Sequence, residues 1–98
     1  MPYLDDEKKN KFTEVLVNLE SILEFENFEG ELNYIISQLA NLYLLNQGVC
    51  YKNLNTIIGS IECSKIEIYR RVAAPYEDIK IKENGDVFLT NVNEAIIS

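Results

Sequence analysis

The densest run of groups able to do chemistry lies between Glu62 and Asp78. Glu67 precedes Arg71 by four residues and Glu62 precedes Lys65 by three, spacings that put each pair on one helix face. Tyr69, Arg70, Arg71, Tyr76, Glu77 and Asp78 then crowd the expected end of that helix. Two guanidinium forks can clamp a phosphate, and a tyrosine ring can stack on a base. The same residues suit a second role. Cations stabilise a helix C-terminus, and either arginine could pair with Glu77 or Asp78 to fix the turn beyond it. A second polar group comes from Asn33, Ser37 and Asn41 at four-residue spacing, with Asn55, Gly59 and Glu62 repeating much the same pattern. If the two rows face each other they form a seam for a small ligand or an interhelical hydrogen-bond network.

Other chemistries are excluded by residue type. The 98 residues contain no histidine, which removes Ser-His-Asp and Cys-His nucleophilic sites and HExxH zinc proteases. The four glycines fall in neither a P-loop nor a GxGxxG turn. Cys50 and Cys63 have no second pair to complete a zinc site. On one helix they stand about 20 Å apart, too far for a disulfide. They read as small apolar packers in a reducing compartment. Adjacent acids, Asp5 with Asp6 or Glu77 with Asp78, could hold Mg²⁺ for hydrolysis, but no motif frames them. No enzyme, cofactor or metal is expected.

The net charge is −7, and residues 1–31 carry nearly all of it, nine acids against three lysines. No basic stripe exists to displace counterions from a nucleic acid. The acids read either as a solvated helix face or as a surface for a basic protein partner. The polar, acidic N-terminus is the reverse of a signal peptide, so a cytoplasmic location is expected.

Three helices must position these groups. Phe12, Val15, Leu16, Leu19, Ile22 and Leu23 make one stripe, giving a first helix over about Asp6–Glu24 with Asp5 or Asp6 as cap. FENFEG reads as a turn closed by Gly30. Residues 32–51 carry no charge. Five amides among them argue against a membrane span. Leu32, Ile35, Ile36, Leu39, Leu42 and Tyr43 form a broad stripe, and Gly48 ends the helix. Apolar on most sides, this helix needs more cover than a three-helix domain supplies, so a homo-oligomer is expected. The third helix starts near Asn53 and is expected to stop before Pro75. Gly59 within it suggests close approach of another backbone. Beyond Pro75, Ile79–Lys82 alternates, Asn84-Gly85 suits a tight turn, and Val87–Leu89 could return as a strand.

The expected fold is therefore mainly α. An antiparallel helical hairpin plus an N-terminal helix form one domain over residues 1–89, with a short C-terminal β-hairpin or extended arm. Residues 90–98 are expected to be a flexible tail.

GELNY (30–34), NTIIGSIECSKIEIYRRVAAPYEDIKI (55–81), ENGDV (83–87) and the opening MPY resemble a family of short proteins of bacteriophages and prophage-bearing bacteria. YRRV-x-APYED at 69–78 is the most specific part. The family carries no established activity, so the resemblance transfers no site residue. It implies a phage setting, where small oligomeric proteins often sequester a nucleotide signal or block a defence protein, an analogy only. The leading expectation is a non-enzymatic protein that binds a small nucleotide-like ligand between subunits. Arg70 and Arg71 would hold phosphate, Tyr69 or Tyr76 would stack, and Asn33 and Glu62 would supply polar contacts. The alternative is a protein–protein interaction or inhibitor module using the acidic first helix on a basic partner.

Overall fold

A computed structural model describes residues 3–88. These residues are mainly helical, in three stretches, and no strand occurs among them. The chain divides between Ile58 and Gly59 into two units, with one helix running across the division.

In the first unit, α1 (Asp6–Asn10) is capped by Asp5, whose carboxylate accepts from the Lys8 amide at 2.9 Å. The expected first helix is broken here. Phe12 N–H donates to Lys9 O, three residues back, and α2 (Thr13–Ile22) starts afresh. Lys8, Lys9, Asn10 and Lys11 offer no apolar face, so only propensity supports the helix at that point. α2 also stops short of Glu24, because Leu23 is extended (ψ 133°) and Phe25 adopts φ 67°.

α3 (Phe28–Gln47) absorbs Gly30, which was expected to close the preceding turn. A Cβ at Gly30 would lie 2.8 Å from the Asn27 side-chain nitrogen, so glycine leaves room for that amide. Gly48 does end α3, at φ 92°. α4 (Tyr51–Ile68) starts two residues before the expected Asn53.

In the second unit the largest departure surrounds Pro75. The helix passes through it: a π-helical turn (Tyr69–Ala73) links α4 to α5 (Ala74–Asn84). Ala74 N–H reaches back five residues to Tyr69 O. The wider turn relieves the clash between a proline ring and the carbonyl four residues before it, which otherwise stops a helix. Ile79–Lys82, expected as the first strand, therefore lie inside α5, and Gly85 (φ 86°) is its C-terminal stop. The expected return strand reaches Leu89, so the hairpin or extended arm, like the expected tail, runs outside the described residues.

No described residue is fully buried. The half-buried positions of the first unit include Leu19, Leu23, Ile35, Ile36, Tyr43, Leu44, Leu54 and Ile57, the inner edges of its helices. Cys63 is half-buried, but Cys50 is exposed rather than packed. Gly59 answers to no close approach among the described residues, since a Cβ there would meet nothing within 4 Å.

Candidate functional site

Tyr69, Arg70 and Arg71 occupy the π turn, and one carboxylate organises both arginines. Glu67, on the last turn of α4, receives Arg70 Nη2 at 3.0 Å on one oxygen and Arg71 Nη1 at 3.6 Å on the other. The acid-first spacing thus does what it promised for Arg71, and Arg70 joins the same anion. Neither arginine turns to Glu77 or Asp78. Glu77 instead accepts the Tyr69 hydroxyl at 3.1 Å across the π turn. That bond, with the adjacent negative charge, holds the Tyr69 phenol above its ordinary value; slight desolvation and Asp78 add to it.

The other expected site residues have partners of their own. The Tyr76 ring carries the Lys80 ammonium at 5.5 Å from its centroid, and Lys80 also pairs with Glu83 at 3.1 Å. Glu62 pairs with Lys65 at 3.3 Å, as its spacing implied. Asn33 belongs to the first unit, where its side-chain oxygen accepts from the Ser37 hydroxyl at 3.4 Å. The arginine side chains are 68–70% exposed, so the trio is an open surface.

Two residues not singled out for a site do the most local work. Glu31 receives the Glu24 and Phe25 amides, one on each oxygen, both at 3.1 Å. It thereby fixes the α2–α3 turn, where Phe25 and Phe28 stack at 5.7 Å. Asn53 donates to both Gln47 O and Gly48 O and accepts from the Tyr43 hydroxyl, closing the α3–α4 corner. Asparagine shortly after a helix-stopping glycine was the available signal. Glu31 had none, being one acid among nine.

Glu14, Glu20, Glu26 and Glu29 are exposed and make no ion pair among the described residues. A shallow depression of about 480 Å³ lies at the α1–α2 break, lined by Lys9, Phe12, Thr13, Val15 and Leu16. Among the described residues no three His, Cys, Asp or Glu side chains gather to hold a metal, and no helix is long and apolar enough to cross a membrane.

What this defines is a mainly helical protein whose polar groups sit on open helix surfaces. The chain belongs to the family described as Domain of unknown function (DUF6899), whose model matches residues 1–87. No curated protein and no solved structure matches it.

Proposed function

We propose that this chain is a non-enzymatic interaction module that docks a basic protein partner on its acid-rich first elements. The observation carrying this reading is that Glu14, Glu20, Glu26 and Glu29 are exposed and make no ion pair among the described residues, whereas both arginines of the second unit already pair with Glu67. Unpaired surface acids cost little to present to a cationic partner and steer its approach. In the phage setting that the sequence resemblance implies, such a partner would be a host protein. Affinity capture of host proteins at low and high salt is the test. Specific partners that release steeply with salt, and that Glu20→Lys with Glu29→Lys abolishes, are expected. Capture insensitive to both overturns the reading.

A second reading, sequestration of a small nucleotide-like ligand between subunits, draws support from Arg70 and Arg71 converging on one carboxylate. A phosphate would compete with Glu67 for the same two forks, with Tyr69 or Tyr76 offering a ring. Asn33 and Glu62 would add polar contacts. Calorimetric titration with mono-, di- and cyclic dinucleotides tests it. Arg71→Ala should abolish binding without changing the oligomeric mass, and Glu67→Gln should tighten it.

A further inference from the structure

The broad apolar stripe of α3 separates into two sides. Ile36, Ala40, Tyr43 and Leu44 are half-covered by the chain itself. A different line, Phe28, Leu32, Ile35, Leu39, Leu42 and Asn46, steps by 4, 3, 4, 3 and 4 residues along the helix. Four of its five apolar members are exposed: Phe28 at 39%, Leu32 at 42%, Leu39 at 60% and Leu42 at 61%. Alternating threes and fours make the seam by which one helix packs along another, and a single asparagine on such a seam fixes register.

We infer that this seam is the contact between two copies of the chain, with the two α3 helices antiparallel. Charge selects the occupant and the direction. The net charge of −7 lies almost wholly in residues 1–31, which repel their counterparts in a second copy, whereas residues 32–51 are a long stretch without any charge. A basic partner gains nothing there, but an identical copy meets no repulsion. Side-by-side parallel helices would bring Glu29, Glu31 and the acids before them together. Antiparallel helices send those acids to opposite ends of a 20-residue helix, about 30 Å or several Debye lengths apart. That arrangement also opposes the helix dipoles and makes the contact two-fold and self-complementary. It does not depend on the acidic face having a partner.

Sedimentation equilibrium of the full chain is the test. A concentration-dependent dimer is expected, with Leu39→Glu or Leu42→Glu raising its dissociation constant by about a hundredfold or more, since each buries an unpaired charge. Tyr34→Glu, off that line on α3, should change it less than about threefold. A monomeric native chain, or equal losses from Tyr34→Glu and Leu39→Glu, overturns the inference. Because the seam variants can lose helicity, hydrogen exchange on the unmodified chain gives an independent reading. Protection that grows with concentration must fall within residues 28–46, and growth confined elsewhere refutes the seam. In a Cys63→Ser background, mild oxidation should leave Cys50 unlinked between copies, because antiparallel helices hold the two ends apart. Quantitative Cys50–Cys50 linkage would refute the antiparallel arrangement.

Discussion

The two units use the same residue type, glutamate, in opposite ways. In the first, Glu31 spends both carboxylate oxygens on backbone amides of a turn whose Phe25 has a positive φ. In the second, Glu67 and Glu77 bind side chains on a helix whose backbone already satisfies itself. A carboxylate on unsatisfied amides replaces bonds that nothing else supplies, so it holds the chain in place. Exposed side-chain pairs on a formed helix add little to folding and can be rearranged. Glu31 therefore serves the fold, whereas Glu67 and Glu77 hold side-chain partners that can be exchanged.

The sharpest way to break this comparison is Glu31→Ala. It should destabilise the first unit by about 1–3 kcal/mol, seen as a lower urea midpoint by circular dichroism, because two amides lose a charged acceptor. An effect as small as that of a surface pair would erase the distinction. Asn53→Ala comes next, at about 1 kcal/mol, since the Gln47 and Gly48 carbonyls can turn to water at the exposed corner. In the second unit Arg71→Ala should cost less than about 0.5 kcal/mol, as an exposed i,i+4 pair does. A larger loss would make the arginine part of the fold.

The smallest effect is a titration. Absorbance at 295 nm should show Tyr69 ionising above the ordinary tyrosine value, and Glu77→Gln should bring it back down. A raised phenol pKa means the folded chain favours the protonated form. Its contribution to stability is thus complete below the ordinary value and fades as pH climbs through the raised one.

Local signals along the chain foretold the helices wherever one rule acted alone. Gly48 and Gly85 both sit at positive φ beyond helix ends, although Gly85 was read as part of a strand turn. The pairs Glu62–Lys65 and Glu67–Arg71 follow from spacing on a helix and are present. Where two rules competed, sequence reasoning chose the wrong winner. Pro75 was expected to stop a helix, yet a turn widened by one residue let it pass, and the alternation of Ile79–Lys82 then had no sheet to join. The hold of Glu31 on the α2–α3 turn left no pattern, because it depends on how one particular turn satisfies its amides.

Composition alone settled that the chemistry of this protein involves no histidine, and that its charge is concentrated in the first 31 residues. Periodicity determined that the chain is mainly helical, because hydrophobic spacing and helix geometry are both local. Only the tertiary structure decided which acid serves the backbone, which carboxylate the two arginines share, and which line of the α3 stripe is left open. Those outcomes depend on which groups meet in space, and a helical period states only which residues share a face.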